Sequence, residues 1–458
     1  MNFSENEYRK TDSGVLFKKV YLRMWQAGFR WLYVIDTFAI FLVLVLTMFV
    51  RFGTNWPDRT DTWIGIAVAT FLFQAVFYFG GMYEKQFRLG QRMWFSRIAG
   101  LTLIGLAISF VLLLPTGRHP IPRANLPAVG ILVALAATGT RKLSQKLRTK
   151  RFGPPRVLLV GTSEQTQLAE KHLQESDSSV AVVGFININE NLTEVLSEKV
   201  NEKSATDLVF VDDFPVDDLF PEPARNFDHN GIGVYLRVTA SNALIGLREV
   251  REISGIPYVM VRARALRSHQ LRLKRLLELL IVLVISPFIL LSTLIVFLWL
   301  KILVRSDIVL VQKRVGMDER VFNLFKFRTM SVDAEEDGGV RLAEADDGRV
   351  IKGCHWLRRT RLDELPQFWN VLKGDMSLVG PRPERPELVK EFSKAISGYE
   401  RRHEIPPGIT GLAQIRGRYH TDASYKLGHD LQYLMSWSIF LDLQIIARTI
   451  FVMFRRKL

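Results

Sequence analysis

Two adjacent carboxylates, Asp363 and Glu364, lie in the stretch RRTRLDELPQFWN at residues 358–370, directly after three arginines and before a Leu-Pro step. Thr360, three residues before Asp363, predicts a capping box at a helix start. In that case the acids would only satisfy backbone amides and the helix dipole. The alternative is that one or both acids take part in chemistry.

Basic residues on neighbouring segments favour the chemical role. They come from several predicted loops of the C-terminal block and comprise Lys326, Arg328, Arg358, Arg359, Arg361, Arg382, Arg385, Arg416 and Arg418. Cations on separate loops suggest a site for a multiply anionic ligand such as a diphosphate. Solvated charge at an anionic membrane would explain some of them, but not their pairing with Gly and Pro turns. Carboxylates in such a site would repel the ligand unless a divalent metal bridges them or one is a nucleophile.

The segments around the acids have distinct local patterns. QKRVGMDERVFNLFKFRTM predicts a strand hairpin followed by a basic turn, and LPQFWNVLKG predicts a helix that ends at Gly374. SLVGPRPERPEL is a Pro-rich loop, and PPGITGLAQIRGRY is a loop punctuated by glycines. The tail SWSIFLDLQIIARTIFVMFRRKL mixes Asp442, Gln444 and Arg448 into an apolar run. That composition predicts an amphipathic helix in the membrane interface.

Composition places these segments in a membrane-associated chain. The 458 residues allow two or three domains, and 48% hydrophobic content beside 23% charged residues suggests membrane segments alternating with polar domains. The formal net charge of +15 favours anionic partners, namely nucleic acid, phosphorylated substrates or an anionic membrane leaflet. The single cysteine, Cys354, excludes a disulfide within the chain.

Four apolar runs occupy the N-terminal domain, residues 1–150. They span roughly residues 31–50, 63–83, 98–115 and 125–140. The first three approach or reach the length needed to cross a hydrocarbon core of about 30 Å, and the fourth is weaker. Lys and Arg are concentrated in the N-terminal arm and after the fourth run. Four spans with both ends in the cytoplasm fit this distribution, and buried core helices are the alternative.

The next domain, residues 151–265, has the pattern of a small parallel α/β domain of Rossmann-like type. RVLLVGTSEQTQLAEKHL predicts a strand, a Gly turn and a helix, and further strands are predicted at 180–186, 207–211, 233–238 and 257–261. Only Gly161 follows the first strand, so the Gly-rich phosphate cradle is missing. A structural or regulatory role and ligand binding therefore both remain open.

Residues 266–302 predict a membrane helix with a break. Ser286-Pro287 lies near the middle of the apolar run, and each half is about 15–20 Å long, near half of the hydrocarbon thickness. Basic residues flank both sides, so both ends are expected on the cytoplasmic face. A re-entrant helix that enters and returns satisfies this pattern. The alternative is a kinked full span, which would place the remaining residues outside the cell.

Three motifs then resemble a known family. KFRTM, RLDELPQFWNVLKGDMSLVGPRPE and PGITGLAQIRGR resemble the signature of bacterial sugar transferases, the monotopic polyprenyl-phosphate phosphoglycosyltransferases. The whole chain resembles their long form, which starts exopolysaccharide or capsule synthesis. The resemblance implies an α+β membrane protein with a four-helix transmembrane bundle, a Rossmann-like domain and a re-entrant membrane helix. It also implies a small monotopic α/β catalytic domain at 303–458 that ends in an interfacial helix.

The resemblance also implies a reaction and its residues. A hexose 1-phosphate, of glucose or galactose, would move from a UDP-sugar to undecaprenyl phosphate with release of UMP. Asp363 corresponds to the nucleophile and Glu364 to the Mg²⁺ ligand, and Glu278 replaces the family's usual aspartate. The implied substrate-binding residues are Lys326, Arg328, Arg358, Pro381, Arg382, Pro383 and Arg418, and Ser286 and Pro287 match the helix break.

The implied setting is the bacterial inner membrane, with the catalytic domain on the cytosolic face. Membrane lipids are expected partners, a homodimer is compatible with the long form, and nucleic acid is not expected. One alternative function is a membrane-bound nucleotide-sugar dehydratase or epimerase. The missing Gly-rich cradle and the missing Tyr-x-x-x-Lys pair count against it. A non-catalytic scaffold for polysaccharide assembly is a further alternative.

Overall fold

The computed structural model divides the chain into two compact units, Met1–Ala263 and Arg264–Leu458. It describes residues 31–53, 60–84, 94–113, 115, 125–176, 180–188, 192–219, 222–238, 250–253, 256–262, 264–304, 307–331, 348–416 and 422–455. Of the predicted site residues, Arg418 lies outside these ranges, and so does the basic N-terminal arm.

Long apolar helices fill the beginning of the first unit. They are α1 (Trp31–Phe52), α2 (Thr60–Phe79), α3 (Trp94–Leu113) and α4 (Leu126–Phe152). With α8 (Ser268–Leu303) of the second unit, five helices of the described chain are long and apolar enough to cross a membrane. Many of their large apolar side chains are exposed, which suits contact with lipid rather than water. The predicted membrane protein is therefore confirmed.

A buried polar cluster links α1 to α4, the first and last of the four apolar helices in the first unit. Arg141 near the end of α4 lies 2.8 Å from Asp36 near the start of α1, and the Tyr83 hydroxyl donates to Asp36 at 2.7 Å. At the other end of α1, Arg51 donates to the side chain of Asn125 at 2.7 Å. Hence α1 begins and α4 ends on the same side of this helical group, as four antiparallel spans require.

A six-stranded sheet follows in the first unit, in the order β2-β1-β3-β4-β6-β5. Its elements are β1 (Arg156–Val160), α5 (Ser163–Ser176), β2 (Ala181–Ile186), α6 (Leu192–Glu202), β3 (Asp207–Phe210), α7 (Ala224–Asn230), β4 (Gly233–Arg237), β5 (Val250–Ile253) and β6 (Ile256–Val261). The first four strands are parallel, but β6 pairs antiparallel with β4 and β5. The prediction of a parallel α/β domain was therefore correct for the first four strands and wrong for β6. Only two residues join β5 to β6, and such a short connection permits only antiparallel pairing.

Next to the turn after β1 lies a carboxylate from the segment after β3, at the place where dinucleotide-binding domains bind a phosphate. Asp212, which follows β3, accepts a hydrogen bond of 2.6 Å from the backbone amide of Thr162. A Cβ on Gly161 would lie 2.4 Å from Val211 and 3.0 Å from the Asp212 carboxylate, so glycine permits this close approach. The negative charge of Asp212 opposes an anionic ligand at this amide.

The second unit begins with α8 and contains two small sheets. Its other elements are β7 (Val309–Val315), β8 (Val321–Phe327), α9 (His355–Arg359), α10 (Gln367–Lys373), β9 (Ser377–Val379), α11 (Pro386–Ala395), β10 (Gly408–Thr410), α12 (Leu412–Arg416), α13 (Ala423–Ser436) and α14 (Ile439–Arg455). β7 and β8 form the predicted antiparallel hairpin, and β9 pairs in parallel with β10. The predicted stop of α10 at Gly374 is also confirmed, since this residue has a left-handed φ of 97°.

Helix α8 runs without interruption through Pro287. A proline lacks the amide that would bond the carbonyl four residues earlier, which here belongs to Leu283. The Ser286 hydroxyl donates to that carbonyl at 2.8 Å and so replaces the missing donor. The helix that was predicted to break at Ser286-Pro287 is therefore continuous there. A re-entrant path would require a bend within this continuous helix.

We expect Ser286→Ala to destabilise the chain by about 1 kcal/mol, because the Leu283 carbonyl would lose its donor in an apolar segment. Thermal unfolding of the detergent-solubilised protein measures this loss. Ser292→Ala is the matched control, since Ser292 lies on the same helix without a proline after it. Equal effects of the two substitutions would contradict the compensating role of Ser286.

A buried charge network fastens the start of α8 to the rest of the second unit. The Lys274 ammonium donates to Glu278 at 2.7 Å and to Asp442 at 2.9 Å. Glu278 also accepts from the Ser377 hydroxyl, and Asp442 accepts from Tyr433 at 2.6 Å. Asp442 and Glu278 therefore both face the protein rather than solvent.

Candidate active site

The two acids lie in a tight turn rather than in a regular helix. Residues Leu362–Glu364 form a short 3₁₀ turn between α9 and α10, and Arg361 before it adopts a left-handed conformation (φ 58°, ψ 17°). The Thr360 hydroxyl donates back to the carbonyl of Trp356 at 2.7 Å, as at a helix C-terminus. The predicted capping box of Thr360 was therefore wrong, because Thr360 ends α9 instead of starting a helix.

Both acids are buried and surrounded by cations. Asp363 is only 1% exposed and Glu364 6%. The Lys326 ammonium lies 2.6 Å from Oδ2 of Asp363 and 3.8 Å from Oε1 of Glu364. The guanidinium groups of Arg361 and Arg382 lie 3.0 and 3.4 Å from the same Glu364 oxygen. The structure thus brings together four of the predicted site residues, with Arg361 as a fifth member.

These cations keep Glu364 ionised. Burial by itself would raise the pKa of Glu364, but the charges of Arg382, Lys326 and Arg361 and the hydrogen bond from Arg361 lower the pKa to about 2. Glu364 is consequently a carboxylate throughout the neutral range. A buried carboxylate with several cations around it is suited to a site that binds metal or phosphate.

One oxygen of Asp363 lacks a partner. Oδ1 is buried and has no hydrogen-bond partner in the described structure, whereas Oδ2 faces Lys326. A buried polar atom normally has a partner, and exceptions often mark a catalytic role or a missing ion. Asp363 therefore presents one carboxylate oxygen that is held and one that is free to react or to bind a cation.

One face of the hairpin lines the site beside these acids. Lys326 on β8 lies opposite Leu310 on β7, and Gln312 and Arg314 follow at alternate positions of β7. A small cavity of about 40 Å³ is bounded by Gln312, Arg314, Lys326, Glu364, Gln367 and Arg382, among others. Gln312, Arg314 and Gln367 were not among the predicted site residues. The strand alternation could have found the first two, because side chains two residues apart share a face.

The Pro-rich loop is packed closely against the glycine-punctuated loop. Gly408 donates its amide to the carbonyl of Pro381 at 2.9 Å, and Arg314 donates to the carbonyl of Pro383 at 3.2 Å. A Cβ at Gly408 would lie 2.1 Å from the amide of Gly380. Only glycine allows the two backbones to approach in this way, and the contact positions Arg382 next to Glu364.

Other predicted residues do not contact the acids. Arg328 turns away, because its Nε donates to the carbonyl of Asp307 at 2.7 Å. Arg358 is half-buried on α9, and the structure describes no ion pair between it and either acid. Arg416 donates to Gln432 at 3.4 Å, on the surface. The residues that contact the two acids are therefore fewer than the predicted site residues.

Comparison with known proteins places the second unit in a family. The family model described as bacterial sugar transferase matches residues 269–456. A UDP-glucose:undecaprenyl-phosphate glucose-1-phosphate transferase of Klebsiella pneumoniae is 42% identical over 215 residues, 45% of each chain. A UDP-N-acetylgalactosamine-undecaprenyl-phosphate N-acetylgalactosaminephosphotransferase of Aeromonas hydrophila is 43% identical over 148 residues, 32% of this chain and 35% of that protein.

A shorter relative is matched over most of its length. EpsL of Bacillus subtilis, named as an uncharacterized sugar transferase, is 38% identical over 182 residues, which are 39% of this chain and 85% of that protein. By contrast, the match spans less than half of the Klebsiella relative. The region that the family model matches includes the acid pair, its cations and both loops, since it begins in α8 and ends one residue after α14. The chain therefore belongs to the bacterial sugar transferase family.

Proposed function

We propose that this chain transfers a hexose 1-phosphate from a UDP-sugar to undecaprenyl phosphate in two steps. In the first step, Oδ1 of Asp363 attacks the phosphorus atom that carries the sugar. The bond from that phosphorus to the bridging oxygen breaks, and UMP leaves with the oxygen. In the second step, a phosphate oxygen of the lipid attacks the same phosphorus. The bond to Asp363 then breaks, which releases undecaprenyl-diphosphate-sugar and restores the carboxylate.

The observation that carries this proposal is the buried acid pair with one unpartnered oxygen. An ionised carboxylate needs no base to act as a nucleophile, but an anionic diphosphate repels it. Lys326, Arg361 and Arg382 lie within 4 Å of the acids and supply the charge that such a ligand requires. Burial also limits access of water, which would hydrolyse an acyl phosphate.

The residues also fit a magnesium ion held partly by the substrate. No group of three or more His, Cys, Asp or Glu that could hold a metal occurs within the described ranges. Mg²⁺, however, is commonly bound by one or two carboxylates together with substrate phosphates. Glu364 is the ligand in this proposal, and the unpartnered Oδ1 of Asp363 lies on the adjacent residue. When bound, Mg²⁺ would neutralise charge on the diphosphate.

The relatives support the substrate class and leave several sugars open. The Klebsiella protein is named for UDP-glucose and the Aeromonas protein for UDP-N-acetylgalactosamine, and both are named for undecaprenyl phosphate. We propose glucose or galactose as the sugar for this chain. We also propose the bacterial inner membrane as its location, with the acid pair on the cytosolic face where nucleotide sugars occur. The basic flanks of α8 support this orientation.

A UMP-release assay tests the proposal. The purified full-length chain is incubated with undecaprenyl phosphate, Mg²⁺ and each of a panel of UDP-sugars. We expect release of UMP together with formation of the lipid-linked sugar for at least one donor. Absence of UMP release with every donor would contradict the proposal. Tightly bound NAD(P) in the same preparation would instead favour a dehydratase or epimerase, which the position of Asp212 argues against.

A further inference from the structure

The Pro-Arg-Pro part of the Pro-rich loop, residues 381–383, has few backbone hydrogen-bond donors of its own. Pro381 and Pro383 lack amide donors, so the loop contributes fewer hydrogen bonds than an ordinary loop of the same length. Its carbonyls nevertheless all receive donors from other segments. Gly408 donates to Pro381 and Arg314 to Pro383, while the amide of Val315 donates to the next carbonyl, Glu384, at 3.0 Å.

The carbonyl of Arg382 itself is held by a buried guanidinium. Arg402 donates from Nη2 to this carbonyl at 2.9 Å. The same nitrogen lies 3.0 Å from the carboxylate of Asp430 on α13, and both side chains are only 3% exposed. Arg402 also donates from Nη1 to the hydroxyl of Tyr399. The side chain of Arg402 thus joins the middle of the loop to two other segments.

A buried ion pair is a costly way to stabilise a fold, since desolvation of both charges offsets their attraction. The planar guanidinium of arginine carries several donors and can bond to several partners at once. Removal of one partner, moreover, leaves an uncompensated buried charge. The arrangement therefore suits a role in fixing the Arg382 peptide more than a role in general stability.

We propose that Arg402 is a positioning residue for Arg382. Arg402 fixes the peptide of Arg382 through its carbonyl, and this directs the Arg382 guanidinium to Glu364, 3.4 Å away. Asp430 and Tyr399 in turn hold Arg402. This inference rests on the proposed function in one respect, namely that Arg382 acts on the UDP-sugar. The positioning itself is a property of the loop.

A double-variant experiment tests whether Arg402 acts through Arg382. We expect Arg402→Lys, which keeps the charge beside Asp430, to lower kcat/KM for the UDP-sugar by about 10- to 100-fold, as misplacement of a group by about 1 Å can do. In an Arg382→Ala background, the same change should lower kcat/KM less than about threefold further, because the group being positioned is already absent. Equal fold losses in both backgrounds would overturn the proposal, and so would no loss in either.

Hydrogen exchange gives a readout that does not depend on transfer activity. The amides of Gly408 and Val315, which donate to the carbonyls of Pro381 and Glu384, should exchange faster in Arg402→Lys than in the wild-type chain, while exchange in α8 stays unchanged. Unaltered exchange at these two amides would overturn the proposal. Faster exchange without UMP release by the wild type would contradict the proposed function and leave the positioning role supported.

Two further variants complete the design. Tyr399→Phe removes one contact of Arg402 while leaving Asp430 in place, so it tests the same link if Arg402→Lys fails to fold. We expect a smaller loss of kcat/KM that also disappears in the Arg382→Ala background. Arg320→Lys, an exposed arginine in the turn between β7 and β8, is the matched control and should change neither readout.

Discussion

We expect Asp363→Asn to abolish sugar-phosphate transfer while the chain remains folded. Asparagine is nearly isosteric with aspartate, so the tight turn and the packing of this buried side chain are retained. An amide, however, is a very poor nucleophile towards phosphorus, and the first step cannot occur. We expect UMP release to fall by about 10³-fold or more, a loss in the range seen when a catalytic nucleophile is removed.

The measurement is UMP release by the purified variant, together with its thermal unfolding in detergent. Asp307→Asn is a matched control, because Asp307 is exposed and its described contact is made by its backbone carbonyl. The control should retain wild-type activity. Wild-type UMP release by Asp363→Asn would show that another group carries the reaction.

Glu364→Gln should lower the rate of transfer by about 10²-fold and raise the half-saturating Mg²⁺ concentration by about tenfold, since an amide oxygen is a weaker ligand for a hard cation than a carboxylate. The substitution also leaves Lys326, Arg361 and Arg382 with one fewer negative charge among them. Titration of Mg²⁺ in the UMP-release assay measures both effects.

Glu387→Gln on α11 serves as the control, since Glu387 is exposed and lies outside the acid pair. Its Mg²⁺ dependence should match the wild type. An unchanged Mg²⁺ requirement in Glu364→Gln would remove Glu364 from the proposed metal site, whatever happens to the rate.

The pKa of Glu364 makes a separate prediction about pH. Because the pKa is lowered to about 2, ionised Glu364 stabilises the folded chain. This contribution is fully present above the ordinary carboxyl pKa and is lost only as the pH falls through about 2. Between pH 5 and 8 Glu364 therefore does not titrate, and the pH profile of kcat/KM should have the same shape in wild type and Glu364→Gln. A limb in this range that disappears in the variant would contradict the lowered pKa.

Local patterns in the sequence were sufficient where neighbouring residues decide the structure. The β7–β8 hairpin, the stop of α10 at Gly374 and the apolar helices depend on alternation, a left-handed glycine and segment length. The acid pair was also found, because its motif resembles that of a family. Thr360 was misassigned because the same hydroxyl can cap a following helix or bond back to a preceding turn, and only the course of the chain decides.

Residues that depend on long-range contacts could not be found in this way. Arg402 is 20 residues from the carbonyl that it bonds, and Arg314 is 69 residues from Pro383. The antiparallel edge of the large sheet likewise depends on where β6 returns beside β4. Such contacts are specified by packing of whole elements, so one sequence without related sequences carries little direct signal for them.

The most direct test of the account is the intact mass of the wild-type chain after incubation with a UDP-sugar and Mg²⁺ but without undecaprenyl phosphate. We predict a covalent adduct with the mass of one hexose phosphate. It should map to the peptide that contains Asp363, be absent in Asp363→Asn and be lost when the lipid acceptor is added. UMP release with no adduct on the wild-type chain, or an adduct that persists in Asp363→Asn, would contradict the central claim.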